Sequence, residues 1–231
     1  MIHVAVAVME DECGRVLLTR RPDHVHQGGL WEFPGGKVEL EEGVAEALVR
    51  ELDEELGVRV EAHQPLISVY HDYGDKKVAL DVHRITRWSG IPEGREGQPL
   101  KWADKEELNN YPMPVADWPI ISAVRLPDRY LITAEEVTGG GGRFDDRLEL
   151  ALANGIRLVQ LRLPPHIKGL QALLANAEFR CAAYGAELLV NSRIASILDL
   201  SKGTGIHLTS SDLNNQSHRP DISGLVACSC H

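Results

Sequence analysis

Glu51, Glu54 and Glu55 lie three and four residues apart, so on a helix their carboxylates share one sector. Each like-charge pair at that spacing costs roughly 0.2–0.5 kcal/mol. Glu54 and Glu55 also come just before Gly57, at a helix end where the macrodipole disfavours anions. Helix stability alone would favour lysines there. A hard divalent cation removes the repulsion: it takes carboxylate oxygens and keeps positions open for water and phosphate oxygens, which suits Mg²⁺ or Mn²⁺. The alternative is a solvated acidic face. Against it stands the order of the parts: Gly35-Gly36, then Glu42, then Arg50-Glu51 and Glu54-Glu55.

The elements that must position these groups can be read from periodicity. Residues 43–56 repeat apolar side chains at spacings of three and four, which predicts a helix with Ala45, Leu48, Val49, Leu52 and Leu56 on its buried face. Gly57 is its C-cap, and Glu46 and Asp53 face solvent. Residues 3–9 and 15–20 read as strands of one hairpin across residues 10–14. Pro34-Gly35-Gly36 ends the next strand and lets backbone approach a ligand or ion. Residues 66–70 and 78–88 are strands joined through the turn Tyr73-Gly74-Asp75, residues 100–102 a short strand and residues 116–126 a closing helix. The expectation is an α+β sandwich, a mixed sheet between helices.

At 231 residues the chain has room for two cores, and 43% hydrophobic with 25% charged residues is a globular composition. A net charge of −10 argues against a polymer nucleic-acid binder but leaves an anionic small substrate open if cations carry the attraction. Cys13, Cys181, Cys228 and Cys230 show no disulfide framework, no apolar run spans a bilayer, and no cationic leader precedes an apolar segment, so a cytoplasmic protein is expected. Cys228, Cys230 and His231 lack a second ligand pair for zinc and read as ordinary small residues.

Gly36, Glu42, Arg50, Glu51, Leu52, Glu54, Glu55, Gly57 and Val58 together resemble the Nudix box at every fixed position in one gapless span. The flanks narrow the resemblance to the MutT branch, which acts on oxidised guanine nucleotides: Leu18-Thr19-Arg20-Arg21, Glu32-Phe33-Pro34-Gly35-Gly36-Lys37, Arg95-Glu96-Gly97-Gln98-Pro99 and Pro114 to Pro119. It implies a Mg²⁺-dependent nucleoside triphosphate pyrophosphohydrolase, 8-oxo-dGTP diphosphatase in type, releasing the monophosphate and pyrophosphate. Gly35, through its carbonyl, with Glu51, Glu54, Glu55 and Glu96 would hold the metal. Glu51 or Glu96 would take the proton of the attacking water, and Arg50 would fix Glu51 by a charge-assisted pair. Arg21, His26, Glu32, Phe33, Pro34, Gly35, Asp75 and Asp117 would contact the nucleotide, with Phe33 stacking on the base. Two positions depart from the pattern: Asp117 replaces an asparagine, and Lys76 of Asp75-Lys76 replaces an arginine. An ionised Asp117 would accept hydrogen bonds but donate none, which weakens reading of guanine O6. Hydrolysis of another nucleoside diphosphate compound is the alternative.

Past residue 127 the texture becomes alternating short strands and helices, the mark of parallel βα units, and the domains are expected at 1–127 and 128–231. Val159-Gln160-Leu161-Arg162, residues 184–191, Gly205-Ile206-His207-Leu208 and Ser229-Cys230-His231 resemble thiamine phosphate synthase, a (β/α)₈ barrel. Leu163-Pro164 and Ser192 depart where that family leads to a lysine and a metal-binding aspartate. With about five strands the expectation is an incomplete, truncated (β/α) barrel without transferase activity. A ligand-binding or synthase role for this half of a fusion is the other reading. The run at 139–142 lacks the lysine and spacing of a P-loop and reads as a βα loop.

Overall fold

β1 (Ile2–Met9) sets the layers of the first unit. Its Val6 and Val8 belong to one core, with Phe33, Leu80, Val82 and Ile120, while Ala5, Ala7 and Met9 belong to another. The alanines let helix α1 (Val44–Leu56) approach closely and pack Leu48, Leu52 and Leu56 against them. The computed structural model describes residues 1–133, 141–215 and 218–229, with backbone alone at 141–143. The chain divides into two units, Met1–Leu126 and Pro127–His231.

In the first unit the other strands are β2 (Val16–Arg20), β3 (Trp31–Glu32), β4 (Gly35–Lys37), β5 (Arg59–Asp72), β6 (Lys77–Ser89) and β7 (Leu100–Ala103). One sheet has the order β4-β1-β6-β5, with β1 and β6 parallel and the other pairs antiparallel. The second sheet is β3-β2-β7, antiparallel throughout. Short 3₁₀ turns at Lys105–Asn110 and Val115–Asp117 lead into α2 (Trp118–Arg125).

Two expectations need correction. Residues 3–9 and 15–20 do not form a paired hairpin: β1 and β2 lie in different sheets, packing through Val8, Val16 and Leu18, and the segments pair only at the antiparallel bridge between Glu10 and Val16. β1 is already flanked by β4 and β6, so the chain turns the corner at residues 10–14 into the second sheet. The buried face of α1 is also rotated from the one expected. Ala47, Leu48, Leu52 and Leu56 are buried, but Ala45 is exposed and Val49 is 39% exposed. That rotation brings Glu51 and Glu55 toward the sheet, beside Leu48, and leaves Glu54 on the outer edge. The expected Tyr73 turn is present, closed by Tyr73 N–H donating to the Lys76 carbonyl at 2.9 Å.

The second unit follows the order β8 (Tyr130–Ile132), α3 (Gly141–Ala153), β9 (Leu158–Leu161), α4 (Leu170–Ala183), β10 (Glu187–Asn191), α5 (Ser192–Ala195), β11 (Gly205–Leu208), α6 (Ser210–Asn215) and β12 (Val226–Cys228). Among the described residues the five strands pair in parallel in sequence order, as in part of a barrel and not a doubly wound sheet. Val159, Leu161, Leu188 and Val190 pack against Leu148, Leu152 and Leu174 of the helices. Gly139 and Gly140 of the glycine run, and Cys230 and His231 of the closing motif, lie outside the described residues. No helix among the described residues is long and apolar enough to cross a membrane.

Candidate active site

Strand β4 is where the site is assembled. Phe33 and Pro34 carry the chain from one sheet to the other, β3 pairing with β2 and β4 with β1. Pro34 spends its carbonyl on Ala7 N–H at 2.8 Å, which leaves Gly35 and Gly36 on the sheet edge facing α1. Gly36 is the closest point of approach: a Cβ there would run into the Glu51 carboxylate. At Gly35, with φ of 143°, a Cβ would collide with the Ala5 carbonyl. Gly35 is required by the backbone, whereas at Gly36 a larger residue would push the Glu51 carboxylate aside.

The carboxylates are not a simple repulsive trio. Arg50 donates to Glu42 through Nε (2.8 Å) and Nη2 (2.9 Å), to Glu51 (2.9 Å), to Glu54 (3.1 Å) and to the Lys37 carbonyl (3.0 Å). The bidentate pair holds Glu42 well down, at about 2. Arg50 therefore makes the expected pair with Glu51 and also offsets the charge of Glu54, so the repulsion within the trio is partly relieved before any metal ion arrives. Glu51, with its side chain 15% exposed, still has its proton affinity raised, chiefly by burial. Glu54 is 58% exposed.

Glu55 has no such cation. Burial first, then the charges of Glu51, Glu32 and Glu96, push its carboxyl up to about 8, against one hydrogen bond from Gly35 N–H. Glu96 reaches this group because its loop docks on the end of α1. Glu93 and Arg95 N–H groups donate to the Leu56 and Glu55 carbonyls at 3.0 and 2.9 Å. Gln98 Nε2 donates to the Glu55 carbonyl at 3.0 Å, and Arg95 Nη1 to the Asp53 carbonyl at 2.9 Å. The loop thus satisfies carbonyls that a helix leaves open at its C-terminus.

On the other side of β4 opens a cleft of about 260 Å³. Ile2, Val4, Val78 and Leu80 supply aliphatic wall, and Tyr73, His26 and Lys76 line it too. Arg21, which donates from Nε to the His26 carbonyl at 3.0 Å, ion-pairs with Glu32 inside it. Burial raises the proton affinity of Glu32 against the pull of Arg21. The volume falls just short of the ~300 Å³ at which small-molecule sites begin, the scale of a planar base and not of a whole nucleotide.

Asp117 closes the cleft. It is 6% exposed, its Oδ2 has no hydrogen-bond partner, and burial with the Glu32 charge pushes its carboxyl up to about 8. Burial thus favours its protonated form, which has an O–H to donate as well as an oxygen to accept, in contrast to the accept-only carboxylate expected from the sequence.

Of the residues expected at the site, Arg21, His26, Glu32, Phe33, Gly35 and Asp117 line the cleft, and Arg50, Glu51, Glu54, Glu55 and Glu96 gather around α1. Pro34 and Asp75 do not line the cleft; Asp75 is exposed in the turn after β5. Phe33 is 3% exposed and belongs to the core, so it meets the cleft as part of a wall. Tyr73, Arg95 and Gln98 escaped the sequence reading as positioning residues. The one signal for Tyr73 was an aromatic in an otherwise polar turn.

Among the described residues no three His, Cys, Asp or Glu side chains stand preassembled at metal-binding distances. The donor chemistry nevertheless fits a hard cation: carboxylates of raised proton affinity, pressed together at a glycine edge, are what such an ion relieves.

Comparison with known proteins agrees with this layout. The family model described as NUDIX domain matches residues 4–123, which contain every residue named at the site except Ile2, and the model described as Thiamine monophosphate synthase matches residues 129–231. The CTP pyrophosphohydrolase of Escherichia coli (strain K12) is 38% identical over 123 residues, 53% of this chain and 90% of that protein. The 8-oxo-dGTP diphosphatase of the same organism is 33% identical over 124 residues, 54% of this chain and 96% of that protein. The 8-oxo-dGTP diphosphatase of Proteus vulgaris is 41% identical over 96 residues, 42% of this chain and 86% of that protein.

Proposed function

The chain belongs to the Nudix family, and on that premise we propose that its first unit is a divalent-cation-dependent nucleoside triphosphate pyrophosphohydrolase of the MutT type. The observation that carries this reading is the placement of Glu55. Its carboxyl is pressed by Glu51, Glu32 and Glu96, with Gly35 N–H as the offsetting donor, and Glu32 and Gly35 also line the base-sized cleft. Gly35, Glu51, Glu54, Glu55 and Glu96 would hold Mg²⁺ or Mn²⁺, which offsets the negative charge of the triphosphate and of the leaving pyrophosphate.

The chain's own residues do the rest. Arg50 fixes Glu51 and Glu54 by hydrogen bonds, so the carboxylates meet the phosphates in one arrangement. Water attacks a phosphorus of the triphosphate, its proton passes to Glu51 or Glu96, and the P–O bond to pyrophosphate breaks. The cleft excludes water from the base, and Asp117 reads the base edge.

A neutral Asp117 offers one donor and one acceptor. Guanine (O6 beside N1–H), cytosine (N3 beside its amino group), adenine (N1 beside its amino group) and uracil (O4 beside N3–H) all present a matching pair, so Asp117 holds a base edge without choosing among them. The likeness to MutT-type relatives makes dGTP and 8-oxo-dGTP the leading substrates, in keeping with nucleotide-pool sanitation, and the second reading is a cytosine triphosphate. The names of the two Escherichia coli relatives divide in the same way. Initial rates of pyrophosphate release from dGTP, 8-oxo-dGTP, dCTP and CTP test both readings. We expect Mg²⁺-dependent release from at least one guanine or cytosine compound, and equal inactivity on all four rejects the proposal. Asp117→Asn, which keeps one donor and one acceptor, should retain turnover, whereas Asp117→Ala should raise KM.

The second unit is a thiamine monophosphate synthase-like domain. Ser192 donates its hydroxyl to Asp212 at 2.5 Å instead of supplying a second carboxylate. We assign this chain no thiamine phosphate synthesis, and formation of thiamine phosphate by it would contradict that.

A further inference from the structure

The face of the β1-β6-β5 sheet that carries Ala5 and Ile85 holds, beyond its contact with α1, a polar stripe unrelated to the hydrolytic site. His3 Nε2 meets Asp81 Oδ2 at 2.5 Å, and Ser68 donates to the other Asp81 oxygen at 2.6 Å. Two residues along β6 on the same face, His83 Nδ1 faces His63 Nδ1 of β5 at 2.9 Å, the rings edge to face. Both rings are half-buried, and the two facing Nδ1 atoms share one hydrogen bond.

The pairing of β5 with β6 shifts register between Val60 and Ala62, between Ala62 and His63, and again between Pro65 and Ile67. Irregularities of this kind re-aim a side chain, and here they bracket His63 and turn it diagonally onto His83. Two imidazole nitrogens in a tetrahedral zinc shell, each about 2.0–2.1 Å from the metal, stand about 3.3 Å apart. The observed pair has to part by about 0.4 Å and both rings have to turn, so that the two lone pairs meet at the ion and not along the line between them.

We propose that His63 and His83 form a two-histidine site for a borderline transition-metal cation of the Zn²⁺ class, separate from the carboxylate site. Imidazole prefers such ions over Mg²⁺, so the two sites sort metals by donor type. Proton balance is simple. The proton shared between the two Nδ1 atoms moves to Nε2 of its own ring, both rings stay neutral, and each gives an Nδ1 lone pair to the metal. The neighbouring Asp81 carboxylate favours the arriving positive charge. No third donor is preassembled among the described residues, so water completes the shell and the ion exchanges.

The test is equilibrium dialysis of the full chain against ZnCl₂ in excess MgCl₂, for the wild type, His63→Ala, His83→Ala and the double variant. The wild type should bind one more Zn²⁺ per chain than the double variant, and each single variant should weaken that binding at least tenfold. Unchanged circular dichroism and unchanged Mg²⁺-dependent hydrolysis in the variants keep the comparison clear of misfolding and of the hydrolytic site. Equal zinc stoichiometry and affinity in the wild type and double variant, or no zinc bound by the wild type, would overturn the assignment and leave only a cross-strand hydrogen bond.

Discussion

Glu55 and Asp117 are both carboxyls pushed up to about 8, mainly by burial, yet they serve different ends. Glu55 faces other carboxylates and so invites a cation, whereas Asp117 faces an apolar-walled cleft and so keeps its proton. Glu55→Gln removes the charge without changing shape. It should lower nucleotide turnover more than about 100-fold while leaving circular dichroism unchanged and the melting temperature at pH 6 no lower than that of the wild type. For Asp117 the sign of the pH effect is fixed. A carboxyl whose proton affinity is higher in the fold contributes stability that is complete below its ordinary value near 3.8. That contribution is lost as pH rises through about 8. Asp117→Asn does not titrate, so its melting temperature relative to the wild type should be constant below about pH 4, rise steadily from there to about pH 8, and level off above. A pH-independent difference would show that the carboxyl is already ionised. Arg50→Lys keeps one charge but cannot span Glu42, Glu51 and Glu54 together, so kcat should fall tenfold or more with KM little changed.

At the scale of elements, the site depends on three backbone arrangements: the β4 edge, helix α1 and the loop that docks on its end. Gly36→Ala places a methyl on the Glu51 carboxylate and should cost activity on the order of 10²-fold, since displacement of about 1 Å is enough. Normal kinetics in that variant would mean that Glu51 need not sit against β4. The box itself was legible because its parts are local: a helix repeat, a C-capping glycine and the spacing from Gly36 to Val58 all lie within one short stretch of chain. What could not be read was set by distant partners. Ala45 and Val49 carry apolar side chains, yet which helix face is buried was decided by Ala5 and Ala7 on β1. The hairpin failed because β6, some seventy residues on, pairs with β1 in parallel. Asp117 looked like an ordinary charged residue until the fold surrounded it. The role of Gln98 depends on the end of a helix more than forty residues earlier.

The whole molecule contains two units with separate cores, one built around β1 and the other around β9 and β10. Because those cores share no residues, thermal unfolding should show two transitions, and Mg²⁺ with a non-hydrolysable nucleoside triphosphate should raise only the one belonging to residues 1–126. A single transition that moves as a unit would mean the two halves are energetically coupled. The net charge of −10 makes free triphosphate a poor partner unless cations come with it, and the hydrolytic reading rests on that point. The most direct measurement is pyrophosphate release from dGTP, 8-oxo-dGTP, dCTP and CTP by the wild type and Glu55→Gln, each with Mg²⁺ and with chelator. Release by the wild type in Mg²⁺ alone, and none by the variant, is the predicted result. Turnover that persists in chelator, or that Glu55→Gln retains in full, would contradict a hydrolytic site built around Glu55 and a divalent cation.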